Sequence, residues 1–148
     1  MFAKQLISIT LVLLVIFQFV NASVFSQLQF IKINSPKNGA TFEAGEKMTI
    51  KYTMQPLVYK SVSMGRATSL KINFHKRSGD KLQNQLSAVS NKCPVTAQQD
   101  KFVTHTTTWT VPKNLKPGSY AFAFKEQVRV RSGTLNVQEI IKFSVVEK

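Results

Sequence analysis

The sequence is short of the residues that build most catalytic centres. It holds one cysteine, Cys93, and two histidines, His75 and His105, among 148 residues. A single thiol excludes an intrachain disulfide framework and a cysteine-built zinc site. The two histidines stand apart, each among non-ligand neighbours, so no metal set is legible, and no cofactor motif accompanies them. Only seven acids are present. A glycosidase needs two carboxyl groups on either side of its substrate, but Glu43 and Glu46 bracket a glycine turn, Asp80 follows another and Glu147 is near the end. They read as solvated turn acids. No Gly-x-Ser-x-Gly elbow surrounds any serine. Six glycines and five prolines exclude collagen-like and proline-rich chains. The residues therefore point away from an enzyme, with no catalytic, cofactor or metal site.

One long apolar run is present, and it lies at the start. Lys4 gives the segment a positive beginning, Leu6 to Val20 are almost unbroken apolar residues, and Val20-Asn21-Ala22 presents a peptidase site. Fifteen residues are fewer than the ~20 a spanning helix requires. Residues 1–22 are expected to be a signal peptide cut between Ala22 and Ser23, giving a secreted protein, extracellular or in a cell wall, with no transmembrane helix. The cut destroys the Asn21-Ala22-Ser23 sequon, and the sequence offers no other. Residues 23–148 are long enough to bury one core without disulfides, in which Cys93 packs as a small apolar group.

Period-two alternation fills the remainder. Met48, Ile50, Tyr52 and Met54 alternate with Thr49, Lys51 and Thr53, and Leu70, Ile72 and Phe74 alternate with Lys71, Asn73 and His75. Ile31 with Ile33, Phe102 to Val111, Tyr120 to Phe124, Val128 with Val130, and Ile141 to Val145 repeat the pattern between turn clusters. One apolar and one polar face mark half-buried antiparallel strands. Over residues 82–100 the spacing of Leu82, Leu86 and Val89 suits one or two helical turns, while the Gln, Asn and Ser content suits a loop or irregular strand equally. About seven short strands at this spacing predict an all-β chain, an immunoglobulin- or fibronectin-III-like antiparallel sandwich with a barrel as the alternative. Phe74, Phe122, Phe124, Phe143 and Trp109 fall on its core faces.

The turns are more specific. Pro117-Gly118 precedes a strand opening with Tyr120, the arrangement in which a sandwich tyrosine turns a corner and bonds back to nearby backbone. Ile33-x-x-Pro36-x-x-Gly39, Phe42-x-x-Gly45, the Met48–Tyr52 strand, Trp109-Thr110-Val111-Pro112 and Leu115-x-x-Gly118-x-Tyr120 together resemble the fungal Kre9/Knh1-type N-terminal domain found in Ser/Thr-rich, often GPI-anchored cell-wall proteins. The resemblance spans roughly residues 30–146. It implies an immunoglobulin-like sandwich, secretion and a part in wall assembly, particularly of β-1,6-glucan, and it brings no catalytic residues. Tyr52 stands where members commonly carry Trp, a Ser/Thr-rich stalk is missing, and residues 143–148 read as a strand and not as a GPI signal. A free single module is expected.

Charge is the remaining feature. The 20 Lys and Arg against seven acids give +13, or +12 once a leader with its one lysine is removed. Lys47, Lys51, Lys71, His75, Lys76, Arg77, Arg129 and Arg131 fall on polar strand faces or adjoining turns. Gathered on one sheet they would form a surface for polyanions; scattered, they only solubilise. No nucleic-acid motif is present. Most aromatics are assigned to the core, and Tyr59, in a segment without clean alternation, is the candidate stacking ring for a glycan. The expected partners are a wall polysaccharide such as β-glucan or a wall polyanion, reached through Lys47, Lys51, Tyr59, Lys71, His75, Arg129 and Arg131. A protein partner held by the loops, as for a small secreted effector, is the alternative.

Overall fold

The computed structural model describes residues 27–148; the leader and its Ala22–Ser23 junction lie outside them. Ten strands follow in order: β1 (Ile31–Ser35), β2 (Ala40–Glu43), β3 (Lys47–Met54), β4 (Val58–Tyr59), β5 (Val62–Ser63), β6 (Arg66–Ser78), β7 (Lys81–Ser90), β8 (Val103–Thr110), β9 (Gly118–Val130) and β10 (Gly133–Val146). Strands β1, β3 and β8 form one sheet in the order β1-β3-β8, and the second sheet runs β2-β10-β9-β6-β7. Strands β4 and β5 make a separate small hairpin. All sheet pairings are antiparallel except β2 with β10. The chain leaves the smaller sheet after β1, crosses to the larger as β2, and returns for β3. Neighbours distant in sequence, such as β3 with β8 and β6 with β9, make this an immunoglobulin- and fibronectin-III-like sandwich.

The alternation dictates which face each strand buries. Met48, Ile50, Tyr52 and Met54 point inward from β3, and Phe122, Phe124 and Val128 do so from β9. Phe122 sits at the centre, with ring centroids 5.2 Å from Trp109 and 4.9 Å from Phe143. Phe74 lies 4.9 Å from Trp109 and stacks on Tyr120, so aromatic contacts join the two sheets where many such sandwiches place a disulfide. The tyrosine corner forms as the turn predicts: the Tyr120 hydroxyl donates to the Lys116 carbonyl at 2.6 Å. Tyr52 donates from its hydroxyl to the Pro94 carbonyl at 2.6 Å, which seats the long β7–β8 connection on the core. Cys93 is buried beside it, its amide donating to the Leu70 carbonyl.

Three details go beyond or differ from the sequence pattern. Residues 81–90 are an irregular edge strand, one of the two alternatives the sequence left open, and not helical turns. Its residues are largely exposed and its pairing with β6 carries three register irregularities, so no inward-outward period survives. Second, residues 120–130 form one strand and not two, because Glu126, between the two apolar runs, is itself buried. Third, His75 is half-buried and not solvent-facing. It pairs with Ala121, whose small side chain lets the outer-face neighbours close in; His75 Nδ1 lies 3.0 Å from the Gln83 carbonyl and its Nε2 is buried without a partner.

The packing yields an ordered pair of outcomes. Phe122→Ala is expected to cost about 3–5 kcal/mol, because it opens a cavity among four rings, whereas Tyr120→Phe is expected to cost about 1 kcal/mol for the lost corner bond. Urea denaturation of the two variants checks both the size and the order.

Candidate functional site

Two groups of ionisable side chains stand out, one inside the sandwich and one on its surface. The inner group is Glu126 and Glu139, on the inward faces of β9 and β10. Glu126 is 1% exposed and accepts the backbone N–H of Gln29 at 2.7 Å and of Phe30 at 3.4 Å, while Glu139 takes the amide of Leu28. Burial raises the carboxyl pKa of both above the ordinary range; the amide bonds oppose this, and the neighbouring Glu139 charge pushes Glu126 further up. This is the pairing of carboxyls that acid catalysis would need, but both oxygens of Glu126 are occupied by the chain's own backbone. The pair straps residues 28–30 to the sheet. No local pattern announces the strap, since the amides that Glu126 accepts lie 96 and 97 residues away in the chain.

The surface group lies on the outer face of β6 and β9. Antiparallel register sets Lys71 opposite Lys125 and Arg66 opposite Arg129. Ala67, Leu70, Ile72, Phe124, Glu126 and Val128 are buried, so the alternation turns all four cations outward. The two pairs are about 13 Å apart, four residues along β9 at ~3.3 Å each. Like charges directly opposite across strands destabilise a sheet. No carboxylate lies within salt-bridge distance of these four among the described residues, whose one ion pair is Lys142 with Asp80. The other acids are engaged inside the sandwich or stand in turns, and Asp100, in the β7–β8 loop, makes no ion pair.

The track ends in a groove of about 600 Å³ where the β3–β6 connection meets the β9–β10 hairpin, lined by Val58, Ser63, Arg66, Arg129 and Arg131 among others. Three of the four arginines of the chain converge there. The fourth, Arg77, is spent on structure: it donates to the carbonyls of Tyr120, Gly79 and Phe143. Gly65 fixes the geometry. Its φ is +119°, and an added Cβ would meet the Arg129 carbonyl at 2.6 Å, so only glycine lets the β4–β5 hairpin return against β9.

The expected site residues thus divide between two surfaces. Lys47 and Lys51 stand on β3, on the outer face of the smaller sheet, in register with Thr110 and Thr106. Lys71, Arg129 and Arg131 belong to the track and groove, on the larger sheet. His75 faces the larger sheet's outside but keeps its nitrogens covered. Tyr59 is exposed on the β4–β5 hairpin, with Lys60 Nζ 5.4 Å from its ring centroid. A single cationic face does not form. Arg66 and Lys125, which complete the pairs, were not singled out from sequence, because cross-strand register is not visible in it.

No family model matches the chain, and no curated protein matches it. Among solved structures it is similar to the fibronectin(III)-like modules of Clostridium thermocellum CbhA, at 18% identity, TM-score 0.39, covering 80% of this chain and 46% of that one. It is also similar to Spo0M, a sporulation control protein of Bacillus subtilis, at 11% identity, TM-score 0.43, covering 80% of this chain and 50% of that one. The chain spans half or less of those proteins.

The buried carboxylates set a pH dependence. A native pKa raised above the ordinary carboxyl value of 4.5 means that the folded state binds the proton more tightly than the unfolded chain. This contribution to stability is full below 4.5 and is lost as pH rises through the native value. Glu126→Gln keeps an acceptor without the charge, so the wild type is expected to gain stability relative to this variant as pH falls from 7.5 to 5. Urea midpoints of both proteins at the two pH values measure it, and parallel responses would contradict it.

Proposed function

We propose that this chain is a secreted, non-catalytic module that attaches to an anionic polymer or surface of the fungal cell wall. The observation that carries the ligand class is the unpaired cationic track, Lys71 opposite Lys125 and Arg66 opposite Arg129, opening into the Arg66–Arg129–Arg131 groove. Guanidinium groups bind phosphate, sulfate and carboxylate oxygens in bidentate fashion, and among the described residues the cations have no carboxylate partner of their own. The compartment follows from the apolar leader and from the resemblance to wall-protein modules. A neutral β-glucan finds less support, because the exposed rings, Tyr59 on β4 and Phe102 before β8, are two separate small platforms for a sugar ring.

The like-charge pairs give the reading a two-sided test. Arg129→Glu places an acid opposite Arg66, and is expected to stabilise the sandwich by about 0.2–1 kcal/mol while weakening retention on phosphomannan or dextran sulfate by about tenfold or more. Lys47→Glu, on the other sheet, is expected to leave retention close to wild type. Pull-downs at low and high salt, with β-glucan and chitin as neutral matrices, and urea denaturation read the two effects. Equal loss from both substitutions would reduce the interaction to net charge.

A further inference from the structure

The loop end of the sandwich carries a second feature beside the cations. Among the described residues seven large apolar side chains are exposed, and Tyr59, Val62, Met64, Phe102 and Leu135 lie at this end, leaving only Leu86 and Val146 elsewhere. Three of them share the β4–β5 hairpin and its exit. Tyr59 is 64% exposed, Val62 56% and Met64 58%. In the hairpin register Val58 faces Ser63 and Tyr59 faces Val62. The first pair lines the arginine groove, so the second pair occupies the other face, bare of any cover. The turn between them puts Lys60 at φ 48° and Ser61 at φ 64°, the backbone of a type I′ turn built without glycine, and the Lys60 ammonium remains beside the Tyr59 ring.

Apolar side chains projecting from a tight hairpin, with a lysine folded back along an aromatic ring and arginines behind, match the layers of a bilayer surface. Tyrosine and lysine suit the interface, where a ring is buried and a polar tip stays wet, and guanidinium groups one step further out meet headgroup phosphates and carboxylates. A soluble polyanion would use the arginines and leave the apolar face in water. We infer that the loop end docks on a lipid bilayer bearing anionic headgroups, with Tyr59, Val62 and Met64 entering the headgroup–acyl boundary and Arg66, Arg129 and Arg131 holding the headgroups. This rests on the anionic-ligand reading of the arginine groove above, and places those anions on a lipid bilayer and not on a wall polymer. The apolar contact and the charge contact are separate, so they can be removed separately.

The test is co-sedimentation of the protein, purified from cells expressing the full chain, with vesicles of phosphatidylcholine alone and of phosphatidylcholine with phosphatidylserine. Dextran sulfate serves as the soluble polyanion. Binding to the anionic vesicles and not to the neutral ones is expected. The triple variant Tyr59→Ser, Val62→Ser, Met64→Ser should bind those vesicles at least about tenfold more weakly yet keep dextran sulfate affinity, which also shows that it is folded. The triple variant Arg66→Gln, Arg129→Gln, Arg131→Gln should lose about a hundredfold on vesicles and lose dextran sulfate as well. Vesicle binding unchanged by the serine variant, or equal on neutral and anionic vesicles, overturns the inference. Dextran sulfate binding without vesicle binding also overturns it, sends the search to a soluble polymer or an acidic protein, and leaves the polyanion reading standing. Binding to neither overturns both.

Discussion

Phe122 touches the rings of Phe74, Trp109, Phe124 and Phe143, and the two sheets are held together through that contact. Its strand, β9, is the middle of the larger sheet, with β6 on one side and β10 on the other. Trp109 comes from the smaller sheet. With one cysteine the sandwich has no covalent pin, so the ring cluster must both bury area and fix the angle between the sheets. A strand held on both edges and on its inner face has one register, and everything on its outer face inherits that register. The positions of Lys125 and Arg129 against Lys71 and Arg66 are consequences of where Phe122 and Phe124 pack.

The same rigidity explains how seven acids and twenty cations are apportioned. Glu126 is drawn inward by the alternation that buries Phe124 and Val128, and it is kept ionisable there by the amides of Gln29 and Phe30. Glu46 accepts the Glu43 amide across a turn at 2.7 Å, and Asp80 pairs with Lys142. Most acids are thereby committed to backbone or to one lysine, and a cross-strand partner is missing where the sheet would benefit from one. A sequence optimised only for folding places opposite charges at such positions. Two like-charge pairs on one face, with only Ser69 and Gln127 paired between them, are a cost in stability that a bound anion would offset.

Much of the fold was legible because it depends on local period. Met48 to Met54, Leu70 to Phe74 and Tyr120 to Phe124 each declare an inward face within a single strand, and Pro117-Gly118-x-Tyr120 declares its corner. What was not legible depends on pairing between distant segments. Leu82, Leu86 and Val89 gave a helical spacing because an edge strand exposed on both sides is free of the alternation that burial imposes. The burial of Glu126 depends on the strap of Gln29 and Phe30, 97 and 96 positions away in the chain. The candidate site suffered the same limit: Arg129 and Arg131 were visible as strand and turn cations, whereas Arg66 joined them only through a pairing across 63 positions of sequence.

Arginine use argues against reading the basic character as simple solubilisation. Lysine is four times as frequent as arginine in this chain, with 16 against four, and lysine suffices for solubility. Arg77 has its own structural task, donating to three carbonyls at the far end of the sheet. The other three meet around one groove, where Gly65 permits a backbone approach that a side chain would block. Residues scattered for charge alone have no reason to converge by type. A planar fork differs from an ammonium in recognising paired oxygens, and three such forks at the one end that also exposes Tyr59, Val62 and Met64 are what supports the proposal of a partner both anionic and apolar.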